Sequence, residues 1–443
     1  MCNDCLLREL LVCLCSSGCS SCAQSENTDV VMLLTSSWKP LAAAADEVSG
    51  LDYLLKILHW SGTMRHPHAG PWARRVHYTI NAFSTVALLL FICSQAVLLW
   101  RDGATDIERF TLSLSVLNTA SVVMIRLRHI AAREADFHRL AMQERRDFGE
   151  FLSADDFRLL HLRRRSIRRV VSAYLLSGVF IAIVYTATPI SAEGLPYILA
   201  LPYDATQPLA FAATWLYCAY IVFSVCTATM AADSFNISLM VQLRNQLDLL
   251  SRNLRSLSDS VSHTKSSSFK THSIQNIHSS EDLSHDIHYR LRKSVLHHQA
   301  IIRNFELLEQ CLGGMLLGQS LSVGVCFCFQ LFQTAKRSNG VQEVGKSSSY
   351  LVFELSVLFV YCWYGDDLIS ESEKVAFSAY DAVTSLQECP TSTKRSLLLL
   401  MLRAQRPLRI TAGGFFSLSR ESFISVLNVS YSFFTVLRNF RDE

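Results

Sequence analysis

Residues 76–100 read VHYTINAFSTVALLLFICSQAVLLW, and no Lys, Arg, Asp or Glu interrupts them. As a helix this run is about 37 Å long at 1.5 Å per residue. That exceeds the roughly 30 Å of hydrocarbon in a bilayer. Val170–Ala192, Ala205–Ala232 and Gln310–Ala335 are equally free of charge. Three weaker segments join them: Phe110–Ile125, Ser347–Gly365, which Glu354 interrupts, and Ser422–Leu437. The totals agree, with half of the 443 residues hydrophobic and 18% charged, against about a quarter charged in a soluble protein. The expected class is an all-α polytopic membrane protein with seven transmembrane helices.

The basic residues are sorted by side. Of the Lys and Arg, 33 fall in the N-terminal segment and in Arg126–Arg169, Asp233–Glu309 and Asp366–Arg409, against 7 in the alternate set. The positive-inside rule then places the N-terminus in the cytosol and the C-terminus outside the cell. That is the reverse of a G-protein-coupled receptor. With no pooled basic patch, a nucleic-acid partner is not expected, while membrane lipid is.

Between the spans the chain changes character. Residues 1–50 hold two Cys-x-x-Cys pairs, Cys2/Cys5 and Cys19/Cys22. Four thiolates at such spacing can close a zinc site, but a short Ser-rich segment has no core to support one, so a disordered leader is expected. Residues 51–75 carry Leu51, Leu54, Leu55 and Leu58 on one helical stripe, as in a helix lying at the inner membrane surface. Residues 76–235 hold spans one to four, with a cytosolic stalk at 126–169 that reads as helix throughout. Residues 236–309 form a cytosolic loop whose Ser/His-rich insert, 256–288, has no sustained apolar period and reads as disordered. Its histidines are irregularly spaced for a metal. Spans five and six follow at 310–365, then a cytosolic region at 366–419, then span seven with a short tail at 420–443.

Neither a Gly-rich phosphate loop nor a His-Glu-x-x-His or Gly-x-Ser-x-Gly motif is present. An enzyme is not expected, nor a cofactor.

The seventh span is unusually polar for a membrane helix. On a wheel of 3.6 residues per turn, Ser425, Asn428, Ser432, Thr435 and Asn439 share an arc of about 80°. Val429, Val436 and Phe440 border it, and Phe423, Val426, Leu427, Phe434 and Leu437 lie opposite. Such a stripe either forms hydrogen bonds to other helices or lines water, with apolar neighbours as a dewetting gate.

Two stretches resemble the insect odorant receptor family: KRSLLLLMLRAQRPLRITAGGFFSLSRESFISVLNVSYSFFTVLR, residues 394–438, and YCWYGDDLISESEKVAFSAYDA, residues 361–382. Gly414 stands where family members usually carry a lysine, and Ser417 where a proline is common. The resemblance implies an odorant-tuned subunit of a tetrameric, ligand-gated, non-selective cation channel. It would assemble with a common odorant co-receptor in the plasma membrane of olfactory sensory neurons and bind small volatile ligands. A gustatory-type chemoreceptor is the alternative within the same architecture; a G-protein-coupled receptor or transporter is the alternative of a different class. The family's gate positions map onto Val436 and Phe440, which makes Ser425, Asn428, Val429, Ser432, Thr435 and Asn439 the implied pore face. Tyr361–Leu408 and Thr411–Ser419 fall in the implied anchor region.

The family's odorant pocket lies in the outer half of helices two, three, four and six. Counted from the outer ends, this implies Phe110, Ser113, Leu114 and Leu117, then Phe180, Val184 and Tyr185. Phe211 and Trp215 follow on the fourth helix, and Tyr350, Phe353, Glu354 and Val357 on the sixth. An apolar, aromatic pocket suits volatile ligands. A carboxylate within a span must face protein or water. Glu354 could pair with a neighbouring helix, donate as a neutral acid to an odorant, or sit near the wet outer surface. The last suits its place in the span best.

Overall fold

The computed structural model describes residues 51–102, 107–188, 194–203, 207–268, 276–336, 341–385 and 390–442. The chain divides into two compact units, Met1–Val48 and Ser49–Glu443. The first, with the Cys-rich leader, lies outside the described residues.

Eleven helices and one small hairpin are described. They are α1 (Asp52–Trp60), α2 (Pro71–Asp102), α3 (Ile107–Ala132), α4 (Glu134–Ala141), α5 (Gln143–Arg146) and α6 (Ala154–Ala187). Then come α7 (Pro208–Ser268), α8 (Asn276–Lys336), α9 (Val341–Ser385), α10 (Thr391–Ala404), β1 (Thr411–Ala412), β2 (Phe416–Ser417) and α11 (Arg420–Asp442). The seven long helices α2, α3, α6, α7, α8, α9 and α11 match the seven expected spans in order. Five of them, α2, α3, α6, α7 and α8, are long and apolar enough to cross a membrane by composition alone. The other two are α9, which carries Glu354, and α11, which carries the polar stripe.

Helices α7 and α8 each have 61 residues, about 90 Å of helix and three times what a bilayer needs. Together with α9 they continue well past their apolar stretches. The largest core is built on these extensions, with Leu243, Leu247 and Leu250 of α7, Ile301 and Leu308 of α8, and Leu368 and Val375 of α9 all fully buried. The apolar window of α8 is 56% buried, against 22–33% for the other four. So α8 is central, and the outer faces of α2 and α6 leave Leu90, Trp100, Leu176 and Phe180 exposed, as lipid-facing surfaces do. Close approach of α6 to α7 depends on Gly178, where an added Cβ would lie 1.5 Å from the Met230 sulfur.

Helix α1 forms where the Leu stripe implies. Leu54, Leu55 and Leu58 are buried against α7 and its neighbours, so the stripe is spent on protein contacts.

The stalk differs from the expectation of continuous helix. It breaks near Arg133 and Met142 and turns between Asp147 and Ser153. Two causes are visible. Phe137, Leu140 and Phe148 are fully buried in the main core, and reaching it bends the chain. At Ser153 a capping box restarts the helix: the Asp156 N–H donates to Ser153 Oγ at 3.2 Å, and the Ser153 N–H donates to Asp156 Oδ2 at 2.9 Å.

Within the Ser/His-rich segment, α7 continues to Ser268 and α8 begins at Asn276. Its ends are therefore helical where disorder was expected, and residues 269–275 lie outside the described residues.

One departure from an all-α chain is the antiparallel pair Thr411↔Ser417 and Ala412↔Phe416. Gly413 (φ 58°) and Gly414 (φ 80°) form its turn, a left-handed conformation that glycine adopts without strain. The hairpin is fastened to α8: the Gly413 N–H donates to the Gly313 carbonyl at 2.9 Å, and Thr411 Oγ1 bonds to Glu309 at 2.7 Å.

Candidate functional site

Six helices line a cavity of about 170 Å³. Leu88 and Phe91 of α2 and Ile221, Val222 and Val225 of α7 form an apolar wall. Ser115, Thr119 and Val123 of α3, with Gln319 and Ser322 of α8, form a mixed one. Ile181, Ala182 and Tyr185 of α6 and Phe353, Glu354 and Val357 of α9 complete the lining.

One end is closed by the chain between α6 and α7. Gln95 Nε2 donates to the Ile198 carbonyl at 2.9 Å, and Ser94 Oγ accepts the Ala200 N–H at 3.0 Å. These bonds hold Tyr197 against Phe91, with ring centroids 5.2 Å apart, and against Tyr185 at 5.9 Å.

At the opposite end the walls become charged. Arg126 of α3 pairs with Asp233 of α7, and their side chains are only 5% and 4% exposed. Arg126 Nη1 also donates to Gln319 Oε1 at 2.7 Å. Tyr361 of α9 donates its hydroxyl to Asp233 Oδ1 at 2.8 Å, and Asn236 Nδ2 donates to the Tyr361 oxygen at 3.2 Å. Gln319 Nε2 lies 3.5 Å from Glu354 Oε2. A buried ion pair costs desolvation of both charges and is retained only with such surrounding hydrogen bonds. Here they tie α3, α7, α8 and α9 together.

Of the expected pocket residues, Tyr185, Phe353, Glu354 and Val357 line the cavity, and Glu354 meets Gln319 there. Phe110, Ser113, Leu114 and Leu117 do not; the cavity face of α3 is instead Leu112, Ser115, Val116 and Thr119. Phe180 is exposed and Val184 borders the same outer face of α6. Phe211 and Trp215 lie in the first turns of α7, whose lining residues begin at Ile221. The Tyr350 side chain lies outside what is described. The cavity thus sits deeper than the count from those helix ends implies, because the folded-in segment with Tyr197 occupies the level nearest them.

Sequence reasoning missed Arg126 and Asp233, which it read as the first residues of cytosolic segments. A signal was present: the charges that end spans two and four are of opposite sign and fall at the same level.

Helix α11 buries one face. Ser430 and Phe434 are buried, with Phe423 and Val426 partly so. Gly324 of α8 lies against it, where an added Cβ would be 3.0 Å from Ser430 Oγ. On the other side Ser425, Asn428, Val429, Ser432, Val436 and Asn439 are exposed and Thr435 is half-buried. The stripe's hydroxyls bond to their own helix, Ser425 Oγ to the Glu421 carbonyl at 3.0 Å, Ser432 Oγ to Asn428 at 2.9 Å and Thr435 Oγ1 to Ser432 at 2.8 Å. The Phe440 side chain lies outside what is described. Between the two regions, Phe359 of α9 meets Phe423 of α11 edge-on at 5.4 Å.

The family model described as 7tm Odorant receptor matches residues 106–431. Odorant receptor 10 of Aedes albopictus is 28% identical over 295 residues, which cover 65% of this chain and 73% of that protein. Odorant receptor Or2 of Anopheles gambiae is 26% identical over 288 residues, covering 64% and 72%. In fold, the chain is similar to the insect olfactory receptor OR5 from Machilis hrabei in complex with eugenol. The TM-score is 0.73 at 14% identity, over 88% of this chain and 97% of that one.

Proposed function

The chain belongs to the 7tm odorant receptor family, and from that premise we propose that it is the odorant-tuned subunit of a ligand-gated, non-selective cation channel. Membership in the odorant branch sets aside the gustatory-type alternative. In this reading the cavity holds the volatile ligand, and the polar face of α11 lines the pore beside gate residues Val436 and Phe440. An odorant co-receptor supplies the remaining subunits of the tetramer, in the plasma membrane of an olfactory sensory neuron. The N-terminus is cytosolic and the C-terminus extracellular.

One observation carries the reading: α11 packs by a single face and presents its stripe outward, and among the described residues its hydroxyls bond to carbonyls of their own helix. A stripe used for interhelical bonds within the chain would face inward. The adjoining helix α9 brings both regions into one element. It places Phe353, Glu354 and Val357 on the cavity and, less than one turn further on, Phe359 on α11.

Co-expression with a co-receptor should give odorant-evoked cation current that persists under G-protein blockade, and this chain alone should give little. Eugenol, which OR5 of Machilis hrabei holds, is a reasonable first probe beside a broad odorant panel. Robust current from this chain alone would overturn the co-receptor requirement, and loss of current under blockade would overturn the channel. Epitope accessibility on intact cells tests the orientation separately. A tag after Glu443 should be reachable and one at the N-terminus should not.

A further inference from the structure

We propose that an exposed arginine stripe near the start of α6 is a binding site for a phosphoinositide, an inositol lipid of the cytosolic leaflet with additional phosphates on its ring. This rests on the orientation read above, in which the N-terminal end of α6 is cytosolic.

Residues 157–170 read FRLLHLRRRSIRRV, with six arginines and no carboxylate. The fold divides these arginines into two sets. Arg163 is taken up by Asp248 and Asn245 of α7, and Arg164 pairs with Glu144. Arg168 lies over the Tyr53 ring of α1, 5.5 Å from its centroid. Arg158, Arg165 and Arg169 are exposed and make no ion pair among the described residues. On a wheel of 3.6 residues per turn these three share an arc of about 60° with Leu176, Phe180 and Ile183. The latter are also exposed. One face of α6 therefore offers apolar contact within the span and unmatched positive charge just beyond it.

Depth chooses the headgroup. The charge-free run begins at Val170, so Arg169 marks the edge of the hydrocarbon. The polar layer of a bilayer is about 5–8 Å thick on each side. Along the helix axis Arg165 is about 6 Å from Arg169, and Arg158 about 16 Å. The phosphodiester of an ordinary anionic lipid meets only the first two. An inositol ring carries its additional phosphates on the aqueous side of the phosphodiester, toward Arg158. Guanidinium forks match phosphate oxygens in bidentate, charge-assisted hydrogen bonds, and the acyl chains lie along Leu176, Phe180 and Ile183. Leu162, exposed between Arg158 and Arg165, makes an acidic protein the competing occupant.

Binding of short-chain phosphatidylinositol bisphosphate to the purified full chain, in detergent at physiological salt, tests the site. It should bind about tenfold or more tightly than short-chain phosphatidylserine. Free inositol trisphosphate, which lacks the acyl chains, should bind about tenfold or more weakly than the lipid. Arg165→Gln/Arg169→Gln should weaken lipid binding about tenfold or more, and Arg165→Lys/Arg169→Lys should lose less. Arg74→Gln/Arg75→Gln removes the same charge from the exposed start of α2 and should change binding by less than about threefold. Arg158→Gln should weaken the bisphosphate about threefold or more and leave phosphatidylserine unchanged. Melting temperatures equal to wild type guard against a folding artefact. The inference is overturned if phosphatidylserine or free inositol trisphosphate binds as tightly as the bisphosphate lipid, or if the two glutamine pairs act alike. It is also overturned if the stripe binds calcium-loaded calmodulin and not the lipid. An N-terminal tag reachable on intact cells defeats the orientation, and with it access to this leaflet. Absent lipid selectivity with the tag protected defeats only the inference.

Discussion

Removing the Asp233 carboxylate should be among the most damaging single changes in the helix bundle, and removing its partner as well should restore much of the loss. Asp233→Ala leaves the Arg126 guanidinium, whose side chain is 5% exposed, without its counter-charge. Breaking a buried pair from one side costs about 3–5 kcal/mol. The Tyr361 hydroxyl, which donates to the same carboxylate, loses its acceptor, for about 1–3 kcal/mol more. Against a total stability of roughly 5–15 kcal/mol, such a loss should deplete folded receptor. The double variant Arg126→Met/Asp233→Leu removes both charges and replaces them with apolar volume. Replacement of that kind is often neutral or stabilising, so the double variant should exceed Asp233→Ala in stability by at least about 2 kcal/mol. Thermal unfolding of detergent-solubilised protein, followed by fluorescence-detected size-exclusion, measures the order, and surface labelling measures the consequence in cells. If the double variant loses the sum of the losses of Arg126→Met and Asp233→Leu measured singly to within about 0.5 kcal/mol, the additivity of independent sites, the two charges are not coupled and the reasoning fails.

Val436→Ser, on the exposed arc of α11, should raise basal current or alter ion selectivity in heteromers at normal surface expression, because a polar side chain wets an apolar constriction. Phe434→Ser, on the buried face with Cys328 and Phe332, should instead lower surface expression; the reverse pattern would refute the assignment of faces. Gly365→Ala should cost about 1–3 kcal/mol by overpacking, since its Cβ would lie 2.7 Å from the Leu418 carbonyl oxygen; a melting temperature equal to wild type would exclude that contact. Ser153→Ala should cost about 0.5–2 kcal/mol through loss of the helix cap, and Ser153→Asp should recover most of it in the same melting assay.

The number, order and type of the long helices are legible in the sequence because hydropathy is a property of each segment alone. A run such as Val76–Trp100 cannot be solvated as anything but a buried or lipid-facing helix, whatever its neighbours do. The two faces of α11 are legible for the same reason: Ser425, Asn428 and Ser432 line up by spacing within one helix, opposite Phe434. The cavity is different in kind. Whether Ser113 or Ser115 faces it depends on the rotation of α3 about its own axis, and two residues along a helix are about 200° apart. That rotation is set by contacts with α8, such as Asn118 Nδ2 donating to Ser322 Oγ at 2.9 Å. The depth of the cavity depends on Tyr197, placed by bonds from a connecting segment to Ser94 and Gln95, which lie about a hundred residues earlier in the chain. Arg126 and Asp233 make the same point most sharply. Each reads by itself as a charge marking the end of a span, and only the meeting of α3 with α7 turns the two into a buried pair, because a charge can leave water where its opposite is already held in place.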